Sequence, residues 1–208
     1  PTVGAEVRKS FRVAWSIYAG WMPWDFADYS GVLAKHARAN GITIELTRFA
    51  YVPSVEAYVA GKVDAVAVTN MEALDMPSAS GIDTTAIIMG DYSNGNDAVE
   101  TRDNIGFNNL RGHTVYLAEG SVSHYLLNRC LELKSKLTEM DVKLKNISED
   151  DINAGVLANK SVKVWVTWNP FVMQTAQEPG VKLPCTSADI PGEIQDLMVV
   201  RTDVLRAN

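Results

Sequence analysis

The strongest constraint on the fold is a pattern that occurs once in each half of the chain. In the first half, a continuous apolar run over 63–69 follows a helical segment and ends at Asn70. In the second half, a similar run over 162–167 also follows a helical segment and leads to Asn169. Continuous apolar runs of this length are typical of strands buried on both faces of a parallel sheet. The repeat therefore predicts an α/β protein with two βαβ lobes.

Strand-like and helix-like segments alternate along the rest of the chain. The further predicted strands are 11–17, 42–48, 84–89, 114–118, 142–145 and 195–201, and the predicted helices are 24–39, 54–61, 71–76, 121–137, 148–159 and one that begins at Pro170. The polar, turn-forming segment 91–97 interrupts this alternation and indicates a lobe boundary. We therefore expect lobe 1 over 1–95, lobe 2 over 96–198, and a return strand toward lobe 1 over 199–208.

Composition excludes several classes of function. The 208 residues carry a formal net charge of −6, whereas nucleic-acid binding requires a basic face. The same charge disfavours docking on an anionic membrane, and no apolar run is long enough to span one. Three histidines and two cysteines, dispersed along the chain, form no metal motif. We expect no metal, no cofactor and no nucleic-acid partner.

The two cysteines lie far apart in the sequence. Cys130 falls on the apolar stripe of the predicted helix 121–137, and Cys185 follows much later. Because a free cysteine is among the most frequently buried residues, we expect buried thiols, with a disulfide as the alternative.

Candidate binding residues follow from a rule for open α/β sheets, in which ligands bind outside the carboxyl ends of the strands. Aromatic, amide, hydroxyl and acidic side chains occupy those positions, and we expect them to face a cleft between the lobes. The candidates are Trp21, Trp24, Asn70, Glu72, Asp91, Asn96, Glu119, Ser121, Ser123, His124, Trp168 and Asn169. A tryptophan at such a position can instead belong to the core, a serine can cap a helix, and an aspartate can serve a turn.

Catalytic patterns are weak in this sequence. Ser123 and His124 are neighbours, but adjacent helix residues point in different directions and do not form a nucleophile–base pair by themselves. No phosphate-binding loop, nucleophile elbow or HExxH motif is present. We therefore predict a binding protein rather than an enzyme.

Four segments, taken in order, resemble the nitrate/sulfonate/taurine substrate-binding proteins of ABC importers. They are VAWSIYAGWMPW from Val13, GKVDA from Gly61, EGSVSHYLL from Glu119 and VWVTWNP from Val164. The resemblance implies a type II periplasmic-binding-protein fold, a periplasmic or extracytoplasmic location and an importer permease as partner. Members of that family continue with helices that return to lobe 1, so we expect this chain to lack part of lobe 1 and to expose an apolar patch there. We expect a monomer.

Within that family the chain looks most like a subgroup associated with urea carboxylase. TNMEAL from Thr69 and GDYSNGND from Gly90 match the style of that subgroup, which implies a nitrogen-rich ligand such as guanidine or urea. The candidate binding residues include acids but no Lys or Arg, which also favours a cation or an amide as the ligand. A sulfonate, nitrate or a pyrimidine precursor is the alternative ligand, because Ser121 and Ser123 match the place where sulfonate and nitrate binders hold an anion. An enzyme of thiamine-pyrimidine synthesis and a ligand-sensing signalling domain are the alternative functions.

Overall fold

The computed structural model describes residues 8–208, which divide into two compact units. The first unit contains the described residues up to Asp91 together with Gln195–Asn208, and the second unit is Tyr92–Ile194. The sequence placed the corresponding boundaries after residues 95 and 198. The stretch predicted as a return strand over 199–208 is strand only as far as Arg201, and a short helix follows it.

The first unit is a five-stranded mixed sheet with helices. Its elements are β1 (Ser10–Trp15), α1 (Met22–Tyr29), α2 (Val32–Ala39), β2 (Thr43–Arg48), α3 (Tyr51–Val59), β3 (Ala65–Thr69), α4 (Asn70–Ala79), β4 (Thr84–Tyr92), β10 (Gln195–Arg201) and α8 (Thr202–Ala207). The strand order is β2-β1-β3-β10-β4. β1 pairs in parallel with β2 and β3, whereas β10 is antiparallel to β3.

The second unit repeats this plan. Its elements are β5 (Asp97–Thr101), β6 (Thr114–Leu117), α5 (Val122–Lys134), β7 (Lys143–Asn146), α6 (Glu149–Ala158), β8 (Val164–Trp168), α7 (Phe171–Thr175) and β9 (Lys182–Thr186). The strand order is β7-β6-β8-β5-β9. β6 pairs in parallel with β7 and β8, and β5 is antiparallel to β8 and β9.

The two apolar runs that predicted buried strands are confirmed. They form β3 and β8, the central strands of the two sheets, and every residue of both strands is buried. Two separate sheets, each covered by helices from its own βαβ connections, confirm the predicted α/β lobes.

Three local predictions need correction. The single helix expected over 24–39 is two helices, because Gly31 adopts a left-handed φ of 75° between α1 and α2. The strands β5 and β9 were not predicted, since their sequences begin beside turn-forming residues. The helix expected to start at Ser54 starts at Tyr51.

The prediction of free thiols is wrong. Cys130 on α5 and Cys185 on β9 form a disulfide, with their Cα atoms 6.0 Å apart. Both cysteines are buried, so the apolar position of Cys130 was identified correctly, but its partner was not. Proximity across 55 residues of chain depends on how α5 packs against the second sheet.

One face of the first sheet carries an apolar trough of about 460 Å³. Strand side chains form its floor, and side chains from α1, α2 and α8 form its sides; they include Phe11, Val13, Trp24, Leu33, Ile44, Leu46, Met198, Val200, Val204 and Leu205. Ile87 and Ile88 of β4 also line it and are 48% and 42% exposed. Apolar side chains are therefore exposed on the first unit. Among residues 8–208, no helix is long and apolar enough to cross a membrane.

Candidate functional site

One edge of the first sheet collects polar side chains from four strands. Ser16 follows β1, Thr69 ends β3, and antiparallel pairing sets Asp196 of β10 beside Thr69. β4 reaches the same edge, because a Cβ built on Gly90 would lie 3.6 Å from the carbonyl oxygen of Asp196. Asp91 is the next residue, so its carboxylate belongs to this group, which we call the first polar edge.

Aromatic rings close around the first polar edge. Trp21, in the turn before α1, is only 5% exposed. Its ring meets Tyr18 edge-on at a centroid distance of 5.2 Å and lies 5.3 Å from the ring of Tyr51 on α3. Such pairs hold a ring in one orientation. Trp21 is therefore a fixed wall beside the polar groups.

Glu72 is buried beneath this wall. Its carboxylate accepts hydrogen bonds from the hydroxyl of Tyr51, at 2.7 Å, and from the hydroxyl of Thr69. Burial and the neighbouring charge of Glu72 raise the pKa of Tyr51 well above its ordinary value, so the phenol stays protonated and continues to donate. One carboxylate oxygen of Glu72 is thus committed to residues that support Trp21.

Two other candidates of the first unit serve the fold. The side-chain oxygen of Asn70 accepts a hydrogen bond of 3.0 Å from the backbone N–H of Gln195, which joins the start of α4 to the start of β10. Trp24 lines the apolar trough with Phe11 and Leu33. The structure therefore does not place Trp24 with Trp21.

In the second unit, a helix N-terminus lies at the carboxyl end of β6. The Ser121 hydroxyl accepts a hydrogen bond of 3.2 Å from the Ser123 N–H and donates one of 2.7 Å to the carbonyl of Ala118. Ser121 is therefore the N-cap of α5, as the alternative interpretation of the sequence held. Ser123 is 1% exposed in the first turn of that helix.

A second group of polar residues lies where β8 ends and β5 begins. The antiparallel pairing sets Asp97 opposite Trp168, and Asn169 donates a side-chain hydrogen bond of 3.0 Å to Asn96. The Asn169 side-chain oxygen accepts from the N–H of Met173 in α7. We call these residues, with Ser121, Ser123 and Thr167, the second polar edge.

Glu119 lies in the loop before α5, and His124 lies in the first turn of that helix. Glu119 is exposed, and its backbone N–H donates to the side chain of Asn146. His124 Nδ1 accepts from the N–H of Gly120 at 3.3 Å, and Nε2 lies 2.8 Å from a carboxylate oxygen of Glu139. Because Nδ1 is an acceptor, the ring proton is on Nε2, and this hydrogen bond lowers the pKa of Glu139. His124 thus orders the loop that carries Ser121.

Several buried polar atoms at the two edges have no hydrogen-bond partner among residues 8–208. They are Ser16 Oγ, Trp21 Nε1 and Asp91 Oδ1 in the first unit, and Ser123 Oγ and Thr167 Oγ1 in the second. Nearly all buried polar groups in native proteins are paired, and an unpaired one costs about 1–3 kcal/mol. The Trp21 N–H is a donor, the Asp91 oxygen is an acceptor, and the three hydroxyl groups can be either. All of them are available to hydrogen-bond with a polar ligand.

Two further observations describe the chemistry of these edges. The described residues contain no cluster of three or more His, Cys, Asp and Glu side chains that could hold a metal ion. Both ring nitrogens of His124 contact Gly120 and Glu139, so neither is directed to the Ser123 hydroxyl. The described geometry of the two edges provides hydrogen-bonding groups and aromatic walls.

Sequence reasoning missed several residues of these edges. Tyr51 carries no local signal, since its role depends on its ring contact with Trp21 of a distant segment. Thr69 and Thr167 could have been found, because each stands next to the end of a repeated apolar run. Their buried hydroxyls lie where the strand-end rule places ligand groups.

The sequence matches no model of a known protein family, and a search of curated proteins gives no match. Solved structures do share the fold. The periplasmic aliphatic sulphonate binding protein SsuA from Escherichia coli is 20% identical, with a TM-score of 0.78 over 97% of this chain and 68% of that one. The ligand binding component of an ABC-type import system from Staphylococcus aureus is 15% identical, with a TM-score of 0.75 over 96% and 68%.

The periplasmic nitrate-binding protein NrtA from Synechocystis PCC 6803 is 11% identical, with a TM-score of 0.76 over 96% of this chain and 57% of that one. At these identities the likeness concerns the fold. It is the type II fold of periplasmic binding proteins, in agreement with the resemblance noted in the sequence.

Proposed function

We propose that this chain is the solute-binding receptor of an ABC importer, which captures a small polar compound without converting it. The observation that carries the proposal is the set of buried polar atoms without protein partners at the strand ends of both units. Open α/β sheets bind ligands at such ends, and binding sites combine a few polar groups with aromatic walls.

The ligand we propose is a nitrogen-rich cation or amide, of the guanidine or urea type. Asp91 offers a buried carboxylate oxygen to an N–H donor, and Trp21 lies in the same polar edge. A planar guanidinium presents parallel N–H groups that suit a carboxylate, and its face suits an aromatic ring. The resemblance of TNMEAL and GDYSNGND to the urea-carboxylase-associated subgroup favours the same ligand class.

A small anion is the runner-up ligand. Ser121 caps α5, and the Ser123 hydroxyl is buried in the first turn of the same 13-residue helix. A helix N-terminus favours negative charge by about 0.3–1 kcal/mol at an exposed end. Solved proteins of the same fold are named for sulphonate and nitrate. We rank the cation first because a buried carboxylate without a cationic or donor partner costs more than this dipole contributes.

The proposed location is extracytoplasmic, and the proposed partner is an importer permease. The Cys130–Cys185 disulfide supports this location, because structural disulfides persist mainly in oxidising compartments. Proteins of the same fold are described as periplasmic. An enzyme of thiamine-pyrimidine synthesis is a weaker proposal, because His124 is engaged by Gly120 and Glu139.

Titration calorimetry with millimolar guanidinium, urea, biuret, taurine and nitrate tests this proposal. We expect guanidinium or a relative to bind, and Asp91→Asn to weaken that binding by roughly 10- to 100-fold, the equivalent of one charged hydrogen bond. Asp25→Asn is the matched control, because Asp25 is an exposed acid on α1 and should not matter.

Binding of taurine or nitrate alone, weakened by Ser123→Ala and unaffected by Asp91→Asn, would support the anion instead. Turnover of any bound compound would contradict a receptor function.

A further inference from the structure

We infer that Gly20 is a specificity-determining residue, because its missing side chain allows the Asp91 carboxylate to lie against the turn that carries Trp21. Gly20 lies in a tight turn in which the Trp21 N–H bonds to the Tyr18 carbonyl at 3.0 Å. A Cβ built on Gly20 would lie 2.3 Å from Asp91 Oδ2 and 2.6 Å from Tyr18 Cε1. No side chain fits there unless the carboxylate or the ring moves.

The backbone conformation at position 20 does not require a glycine. Its φ lies outside the left-handed region that the glycines of several other turns adopt, such as Gly31 and Gly41. Other residues could therefore adopt its conformation without strain. Among the glycines of residues 8–208 with ordinary φ, Gly20 alone would place a Cβ within 3 Å of another group; Gly90, by comparison, would meet its nearest neighbour at 3.6 Å. Glycine is required at this position because any larger residue would collide with Asp91 and Tyr18.

This contact determines where the acidic group is. One oxygen of Asp91, Oδ2, occupies the space beside Gly20, and the other, Oδ1, is buried without a partner in the described chain. The carboxylate is thereby fixed close to the Tyr18–Trp21 pair. A carboxylate so placed can receive N–H groups of a ligand whose face lies on an aromatic ring, which is the recognition expected for a planar nitrogen cation.

An added methyl group should move the carboxylate. An ordinary contact needs roughly 3.5 Å, so Asp91 Oδ2 would have to retreat by about 1 Å. Displacements of that size disrupt a hydrogen bond, because its strength depends on distance and angle. We expect Gly20→Ala to lose cation binding while the acidic residue itself is retained. This expectation rests on the proposed function, whereas the packing of Gly20 against Asp91 does not.

The first experiment is therefore independent of any ligand. Thermal unfolding is measured for Gly20→Ala, Asp91→Ala and the double variant, with Gly90→Ala as a control one residue from Asp91. If Gly20 acts through Asp91, Gly20→Ala lowers Tm by less in the Asp91→Ala background than in the wild type, because the double variant has no carboxylate to displace. Gly90→Ala should leave Tm nearly unchanged. Equal Tm losses in both backgrounds would overturn the inference.

The second experiment measures specificity. Titration calorimetry with guanidinium and with urea is performed on the wild type, Gly20→Ala and Gly90→Ala. We expect Gly20→Ala to weaken guanidinium binding at least tenfold and to weaken urea less, since urea carries no charge. A Gly20→Ala protein that is folded, as judged by its circular dichroism, and binds guanidinium as the wild type does would overturn the inference. If the wild type binds neither compound, the proposed ligand class is wrong, and the Tm comparison still decides the packing role of Gly20.

Discussion

Glu100 is a buried acid in the second unit, and its surroundings raise the pKa of its carboxyl group. Its side chain on β5 is fully buried, and one carboxylate oxygen accepts from Trp165 Nε1 at 2.7 Å and from the Thr175 hydroxyl at 2.8 Å. Burial raises the pKa of Glu100 to about 7, although these two hydrogen bonds and the charge of Arg102 oppose that rise. Glu100 is therefore partly protonated at neutral pH.

This shift predicts a pH-dependent stability. Because the pKa is about 4.5 in the unfolded chain and about 7 in the folded protein, the folded state holds more protons between these values. The contribution of Glu100 is therefore fully present below pH 4.5, is lost as pH rises to 7, and amounts to at most roughly 3 kcal/mol. Urea unfolding between pH 4.5 and 8 should show this decline in the wild type and a flatter profile in Glu100→Gln. Parallel profiles would contradict the prediction.

At the scale of secondary-structure elements, α5 connects the polar edge of the second unit to its core. Ser121 caps the helix, Ser123 belongs to the second polar edge, and Cys130, farther along the same helix, is bonded to Cys185 on β9. The disulfide therefore links α5 covalently to the second sheet. The first turn of the same helix carries Ser123 of the second polar edge.

Removal of this disulfide should destabilise the protein. For a loop of 55 residues, the chain-entropy relation gives a loss of about 4 kcal/mol. The double variant Cys130→Ala/Cys185→Ala avoids leaving a single buried thiol. Urea unfolding, monitored by circular dichroism, should show a lower midpoint for this variant than for the wild type. An unchanged midpoint would show that the packing of α5 against β9 suffices without the covalent bond.

At the scale of the whole molecule, the two units share one plan but differ in how their sheets are covered. The first sheet carries the apolar trough, where Ile87, Ile88 and Leu205 are each more than 40% exposed. A trough lined by apolar side chains is a site where an apolar probe can bind.

The dye ANS tests the exposure of the trough. The native chain should enhance ANS fluorescence, and Ile88→Lys should reduce the enhancement several-fold, because a charge in the trough disfavours an apolar probe. Met173→Lys is the control, since Met173 is 62% exposed in the second unit, outside the trough. If both variants bind ANS equally, the dye binds outside the trough.

Features that depend on neighbouring residues could be predicted from the sequence. The apolar runs that became β3 and β8, the cap at Ser121, and the polar residues that follow the strands are patterns of a few consecutive side chains. Hydrophobic periodicity and capping act within one or two turns of chain, so they are legible without a structure. These patterns determined the α/β class, the two-lobed plan and the position of the polar edges.

Features that join distant segments were decided by the tertiary structure. The Cys130–Cys185 bond, the hydrogen bonds that Asn169 donates to Asn96, and the contact of Gly20 with Asp91 each link residues more than 50 positions apart. Trp21 and Trp24 were both expected among the binding residues, but Trp24 lines the apolar trough, whereas Trp21 packs against Tyr18. A local pattern identifies which side chains are buried or polar, but only the packing of sheets and helices selects the partner of each one.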